Sequence, residues 1–90
     1  MLRFEWDPGK EISNTRKHGV AFSEATTAFG DPLSITIPDP EHSFGEARFI
    51  LMGLSYQGRL VVVAHADADD SIRIISARLA TRAERKFYEQ

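Results

Sequence analysis

The sequence predicts one small α+β domain that contains a short N-terminal strand or arm, two helices, a four-stranded antiparallel sheet and a C-terminal helix. Three observations predict it. Apolar residues are spaced three and four apart before residue 33 and alternate with polar residues after it. Residues that cap helices stand near both ends of the chain. Ninety residues leave room for a single domain, which we expect to span 1–90.

The N-terminal third is predicted to contain the arm and two helices. Residues 2–6 form an apolar and aromatic segment typical of a short strand. Asp7 can accept hydrogen bonds from the free N–H groups of a helix over residues 8–18, and Gly19 ends that helix. The second helix is predicted over residues 23–29, with the serine at its first position as the N-cap.

The second half is predicted to form four antiparallel strands. Residues 33–38 alternate between apolar and polar types, whereas residues 47–55 are apolar on both faces. A tight turn leads from the second strand into residues 60–65, so these two strands form a hairpin. A polar turn over residues 67–70 precedes the last strand, which covers residues 71–76.

The C-terminal segment is predicted to be helical and is rich in positive charge. Thr81 and Glu84 have the spacing of a capping box, and Arg78 is placed at the start of this helix. Residues 71–90 carry five Lys and Arg against two Asp and Glu, whereas residues 1–70 carry six against eleven. A cationic end on an acidic body can contact phosphate groups, although a solvated helix surface explains the same pattern.

Composition excludes several classes of protein. The chain has no cysteine, so it has no disulfide, no thiolate metal site and no cysteine nucleophile. The longest apolar run, residues 60–64, is far too short to cross a membrane, and the N-terminus lacks the apolar region of a signal peptide. We therefore expect a cytoplasmic protein that makes no membrane contact.

An ordered set of short strings along the chain is distinctive. It comprises Phe4-Glu5-Trp6-Asp7-Pro8, Asn14 with Lys17-His18-Gly19-Val20, Phe22, Glu24-Ala25, Asp31-Pro32, Glu46 with Arg48, Arg73-Ile74-Ile75-Ser76-Ala77-Arg78, Ala80-Thr81, Glu84 and Tyr88. In this order and spacing the strings resemble the BrnT family, the toxins of bacterial type II toxin–antitoxin pairs. The resemblance extends from residue 3 to residue 89.

The resemblance implies a RelE-like fold and a ribonuclease that blocks translation by cutting RNA. It also implies a partner, a BrnA-like antitoxin of the ribbon-helix-helix class. The antitoxin dimer would carry two copies of the toxin in a heterotetramer. DNA would then be bound only through the antitoxin.

Arginines are the first candidates for the chemistry. RNA is cleaved without a metal ion or other cofactor when the ribose 2′-OH attacks the adjacent phosphate, given a base, an acid and cations on the phosphorane. Arg73 stands in mid-strand between apolar residues, where a charge needs a ligand or a partner such as Glu46. Arg48 follows the same logic on another strand, and Arg78 can hold a phosphate with two guanidinium nitrogens. We expect these arginines and His65 to form the catalytic set.

The histidines are the candidate proton donors, since only histidine has an ordinary pKa near 7. His65 is preferred, because the right strand register would bring it to the face that carries Arg73; His18, at the end of the first helix, is the alternative. His42 is the weakest candidate by position. Supporting or substrate-binding roles are predicted for Trp6, Lys17, His18, Glu46, Arg82 and Tyr88. Glu46 either pairs with an arginine or acts as the general base. Trp6 either stacks on a nucleobase of the RNA or packs in the core.

Two other hypotheses remain open. The first is that the chain binds RNA, or only its antitoxin, without cleaving anything. A proton donor beside the arginines would distinguish a ribonuclease from such a binding module, because phosphate binding alone needs no proton donor. A metal-dependent nuclease is disfavoured, since the aspartates at 67, 69 and 70 have the start of a Ca²⁺-loop spacing but lack its glycine and later ligands.

Overall fold

The computed structural model describes residues 2–90; Met1, the first residue of the predicted domain, lies outside the described residues. The elements in chain order are β1 (Arg3–Glu5), α1 (Pro8–His18), α2 (Phe22–Thr27), β2 (Ile35–Pro38), β3 (Arg48–Leu54), β4 (Leu60–Ala68), β5 (Ser71–Leu79) and α3 (Arg82–Tyr88). Short 3₁₀ turns follow α2 at Ala28–Gly30 and β2 at Pro40–His42. The α+β class and the order of the elements are as predicted.

The sheet differs from the prediction of four antiparallel strands. It has five strands in the order β1-β5-β4-β3-β2, and it is mixed because β1 runs parallel to β5. Arg3 lies beside Ser71, and Glu5 lies beside Arg73. A parallel pair needs a long crossover between its strands, and here residues 6–70 separate the two. No local pattern could therefore indicate this pairing.

Helix α1 is bounded by local signals, and its bounds match the prediction. The Asp7 carboxylate accepts a hydrogen bond from Gly9 N at 2.8 Å, and Gly19 ends the helix in the left-handed conformation, at φ 73°. From the middle of α1, the Asn14 amide accepts from Ala77 N at 3.1 Å and donates to Ala77 O at 2.8 Å. Asn14 thereby satisfies the backbone N–H and C=O of Ala77, on the part of β5 that β1 is too short to pair with.

Helix α2 is not capped as predicted. It begins at Phe22 with Ala21 in the N-cap position, so Ser23 lies inside the helix. The carboxylate of Glu11, on α1, accepts from Phe22 N at 2.9 Å and from Trp6 Nε1 at 3.2 Å. A side chain from the neighbouring helix thus satisfies the free N–H group that a local cap would otherwise satisfy.

Strands β4 and β5 are longer than predicted, because they pair with each other up to their turn. Asp67 pairs with Ile72, so the turn is reduced to residues 69–70. At the other end Arg78 pairs with Val62. Arg78 is therefore a strand residue, and the prediction that it begins the last helix is wrong. Helix α3 starts only after the predicted capping box of Thr81.

A bulge in β5 determines which of its side chains share a face. Ile74 and Ser76 pair with successive residues of β4, so Ile75 between them has no partner in the ladder. The extra residue shifts the alternation by one position. Ile74 and Ala77 therefore both point toward the core, although Ala77 follows Ile74 by three positions.

The core lies between α2 and one face of the sheet, which we call the covered face. Its buried side chains are Val20, Phe22, Ala25, Ala28, Leu51, Val61, Val63, Ile72, Ile74 and Ala77. The opposite face of the sheet, here the second face, carries Arg48, Ala66 and Arg73 in register with one another, and Val62 with Arg78 further along. Helix α3 follows β5, and its Tyr88 hydroxyl donates to Asp31 ahead of β2.

Candidate functional site

Two of the predicted arginines flank one small residue on the second face. Arg48 on β3 and Arg73 on β5 both pair with Ala66 on the strand between them. Two strand spacings separate their backbones, about 9–10 Å. Because Ala66 has a single methyl group, its side chain does not separate the two guanidinium groups. The arginines can therefore reach one common ligand.

Glu46, in the loop between β2 and β3, joins the two arginines. Its Oε1 accepts a hydrogen bond from Arg73 Nη2 and lies 3.6 Å from Arg48 Nε. That second distance is too long for a hydrogen bond, and the buried Arg48 Nε has no acceptor among the described residues. All three side chains are between a third and a half exposed. Two cations share one carboxylate, so this arginine–glutamate cluster has a net positive charge.

The β2–β3 loop is tied to Arg48 by hydrogen bonds to both its main-chain groups. Asp39 N donates to Arg48 O at 2.9 Å, and Arg48 N donates to the Ser43 hydroxyl at 3.1 Å. The same hydroxyl donates to Asp39 O at 2.7 Å. His42, in this loop, has its Nδ1 2.9 Å from Asp39 Oδ2 and a side chain that is 61% exposed. The loop thus brings His42 to the Arg48 end of the sheet.

Arg78 lies on the second face but is already paired. The bulge at Ile75 gives it the same orientation as Arg73, four residues of β4 further along, which is about 13 Å. Its two terminal nitrogens donate to the Glu84 carboxylate at 2.8 and 2.9 Å. The Arg78 guanidinium lowers the pKa of Glu84 to about 2, and the bond raises the pKa of Arg78. Arg78 therefore stands apart from the arginine–glutamate cluster.

His65 does not share a face with Arg73, and this prediction is wrong. His65 pairs with Ile74, so it points into the covered face, where it is 2% exposed. Its ring lies between Phe29 and Phe49, with centroid distances of 5.0 and 5.8 Å. Its Nδ1 is 2.6 Å from Asp67 Oδ1, and its buried Nε2 has no partner in the described chain. The prediction that Val61, Val63 and His65 share one face of β4 is confirmed. The register with β5 places that face against the core and not on the side of Arg73.

The α1 candidates lie away from the arginine–glutamate cluster. Lys17 and His18 line a shallow surface cavity together with Ile75 and Ser76, at the bulge of β5. Both side chains are exposed. They lie beside the strand between Arg73 and Arg78.

The aromatic candidates have structural partners. Trp6 packs edge-to-face on Phe22, with a centroid distance of 6.2 Å, and donates to Glu11. The Tyr88 hydroxyl donates to Asp31, whose carboxylate raises the pKa of Tyr88 to about 12. Trp6 therefore supports the core and Tyr88 anchors α3, while Arg82 is exposed at the first position of α3.

The acidic turn does not form a metal centre in the described residues. Asp67 contacts His65, and Asp70 lies 3.5 Å from Arg3. Across residues 2–90, no three His, Cys, Asp or Glu side chains are grouped so that they could hold a metal ion. None of the helices described within residues 2–90 has both the length and the apolar character to cross a membrane.

Fold and cluster together define a small α+β domain that carries partly exposed arginines on the second face of its sheet. A family model described as the ribonuclease toxin BrnT, of a type II toxin–antitoxin system, matches residues 6–84. The chain therefore belongs to the BrnT family of ribonuclease toxins, and the resemblance of its ordered strings to that family is confirmed.

The solved structures include a similar fold. The ribonuclease toxin BrnT of Brucella abortus, known from a 1.1 Å crystal structure, matches with a TM-score of 0.71 and 19% sequence identity. The match covers 91% of this chain and 100% of that one. At this identity the match shows a shared fold, and the broader RelE-like classification stays a prediction. No curated protein sequence matches this chain significantly.

Proposed function

We propose that this chain is an endoribonuclease toxin that cleaves RNA without a metal ion and thereby inhibits translation. In the proposed reaction the ribose 2′-OH attacks the adjacent phosphate, and the 5′-oxygen leaves with a proton. The observation that carries the proposal is the arginine–glutamate cluster of Arg48, Glu46 and Arg73, which is partly exposed and has more cations than anions.

The two arginines are suited to hold the phosphate. The Arg48 side chain is 33% exposed, so a phosphate oxygen can reach the open part of its guanidinium group. Arg73 is 46% exposed and uses Nη2 for Glu46, which leaves its other N–H groups for a ligand. Two guanidinium groups on one phosphate would stabilise the extra charge of the phosphorane.

Glu46 is the proposed base. It already lies between the two arginines, so a phosphate bound there would displace one of its contacts and place the carboxylate next to the ribose. The carboxylate would then accept the proton of the 2′-OH, in line with its predicted alternative role.

His42 is the proposed proton donor in place of His65. It belongs to the same loop as Glu46, and Asp39 holds its Nδ1, which leaves Nε2 to act on the leaving oxygen. His65 is buried on the covered face and cannot reach a phosphate at the cluster. Arg78, paired with Glu84, would bind a neighbouring phosphate of the same RNA strand.

The proposed partner is a BrnA-like ribbon-helix-helix antitoxin, two copies of which hold two copies of this chain. The toxin–antitoxin family supports the existence of an antitoxin. The exposed apolar side chains around β2 and α3 (Leu33, Ile37 and Phe87, each at least half exposed) give it an apolar surface to cover. DNA binding would belong to the antitoxin, so we expect the isolated chain to bind no operator DNA.

Expression of the chain without its partner tests the proposed function. We expect growth arrest and loss of intact messenger RNA, and we expect Arg73→Ala to abolish both while Arg16→Ala, an exposed arginine on α1, leaves both unchanged. Where the neighbouring reading frame encodes a ribbon-helix-helix protein, its co-expression should restore growth. Normal growth with folded wild-type protein present would contradict the proposal, and RNA binding without cleavage would favour the non-catalytic alternative.

A further inference from the structure

Phe44 is the most exposed large apolar side chain of residues 2–90, with 82% of its surface open to solvent. It lies in the β2–β3 loop, two residues before Glu46. The other residues of this loop, 39–47, are polar apart from one proline, one glycine and one alanine. At this exposure the phenylalanine ring contributes little to the folded core, and its faces are accessible to a ligand.

The loop holds Phe44 close to the arginine–glutamate cluster. Ser43, the residue before it, is bonded to the main chains of Asp39 and Arg48. Gly45, the residue after it, has φ 77° and turns the chain toward Glu46. The loop segment that contains Phe44 is therefore held on both sides, by Ser43 bonded to Arg48 and by the Glu46 carboxylate bonded to Arg73.

We propose that Phe44 is a stacking platform for an unpaired base of the RNA. The proposal rests on the proposed function, because the neighbouring phosphate would be the one held by Arg48 and Arg73. Aromatic rings beside a cationic groove bind single-stranded nucleic acid, since every base has a face that can stack on them. RNA is favoured over a protein partner because the ring stands in a polar loop beside two arginines that share one carboxylate.

Two consequences for the substrate follow. The RNA must be single-stranded at the site, because a base inside a duplex is already stacked and cannot reach a loop tip. The preference for one base over another is expected to be weak at this position, because stacking reads the face of a base and not its hydrogen-bonding edge.

Binding of an uncleavable RNA tests the proposal. The probe is a short single-stranded RNA whose riboses carry 2′-O-methyl groups, so that no 2′-OH can attack. We expect Phe44→Ala to weaken its binding roughly 5- to 150-fold, the range that base–aromatic stacking gives, and Phe44→Trp to retain it. Tyr56→Ala is the matched control, since Tyr56 is 73% exposed in the turn at the opposite end of β3 and should bind like the wild type.

Two further measurements report the stacking itself. RNA should quench the added fluorescence of Phe44→Trp, measured against the wild type, whose single tryptophan is Trp6. A series of probes, each lacking one base at a different position, locates the stacked base. For one of these probes, the wild type should bind as weakly as Phe44→Ala binds the intact probe.

The outcomes separate this proposal from the proposed function. If Arg73→Ala weakens RNA binding while Phe44→Ala and Tyr56→Ala both bind like the wild type, the stacking proposal is overturned and the function stands. If Phe44→Ala keeps RNA binding but loses the antitoxin, Phe44 is a partner contact and the stacking proposal is again overturned. If the wild-type chain neither binds nor cleaves RNA, the proposed function fails first.

Discussion

Arg73 and Arg78 point to the same face of the sheet, although Arg78 follows Arg73 by five positions on β5. In a regular strand such residues point to opposite faces, because side chains alternate with a period of two. The unpaired Ile75 between them shifts the alternation, so Arg73 pairs beside Ala66 and Arg78 beside Val62 on one side of β4. The bulge thereby places the Arg78–Glu84 pair on the same face of the sheet as the arginine–glutamate cluster.

Replacement of His65 tests its assignment to the core. We expect His65→Phe to keep RNA cleavage within a few-fold of the wild type, because this side chain lies on the covered face between Phe29 and Phe49. The phenyl ring also removes the buried Nε2 that has no partner among the described residues. The measurement is the cleavage rate of folded protein, checked by circular dichroism. A loss of more than about 100-fold, the size expected of a lost proton donor, would return His65 to the catalytic set.

Replacement of His42 tests its proposed role as proton donor. We expect His42→Ala to slow cleavage roughly 100-fold or more, and added imidazole to restore part of the rate. His18→Ala tests the alternative proton donor, and we expect it to keep the wild-type rate because His18 lies at the end of α1, beside Ile75 and Ser76 and not in the β2–β3 loop. An undiminished rate in His42→Ala, or a loss that imidazole does not restore, would remove His42 from the mechanism.

The Glu84–Arg78 pair predicts a pH-dependent stability. Arg78 lowers the pKa of Glu84 to about 2, so the contribution of this carboxylate to the free energy of unfolding is present at neutral pH. It is lost as the pH falls from about 4.5 toward 2, where the folded state too becomes protonated. The contribution is roughly 0.5–1 kcal/mol, since Arg78 is 41% exposed and solvent screens the pair.

Urea unfolding of Glu84→Gln at several pH values measures this contribution. Glutamine keeps one side-chain oxygen for Thr81 N in the capping box, so the difference from the wild type reports the charge and the second hydrogen bond from Arg78. The difference should be largest near pH 7 and shrink toward pH 2. A difference that does not depend on pH would show that the charge contributes nothing.

Glu11 is predicted to stabilise the start of α2 in place of a local cap. Glu11→Ala leaves Phe22 N without its acceptor and should lower the free energy of unfolding by about 1–2 kcal/mol. Trp6 fluorescence should shift as well, because the indole N–H loses the same carboxylate. Glu41→Ala, an exposed glutamate in the β2–β3 loop, is the control. Equal unfolding midpoints for the two variants would refute the capping role.

Features that depend on neighbouring residues could be predicted from the sequence. The ends of α1 at Asp7 and Gly19 and the capping box at Thr81 are local, because each involves residues within one helical turn. The α+β class followed from the change in apolar spacing. The family followed from the order of its strings.

Features that depend on distant pairing could not be predicted. β1 pairs with a strand at the far end of the chain, and Arg78 is in a strand only because Val62 lies beside it. The same register turned His65 to the core and grouped Arg48 with Arg73. Phe44 did carry a local signal, as a lone aromatic residue in a polar loop, but nothing in the sequence connected that loop to the arginines.

Cleavage of RNA by the purified chain in the presence of EDTA tests the central claim most directly. We predict strand breaks that leave a 2′,3′-cyclic phosphate, the product of 2′-OH attack, at the same rate with and without the chelator. Arg73→Ala should slow the reaction about 100- to 1,000-fold, because it removes a cation from the phosphorane, and Arg16→Ala should not slow it. Cleavage that EDTA abolishes, or products with 3′-hydroxyl ends, would contradict the account.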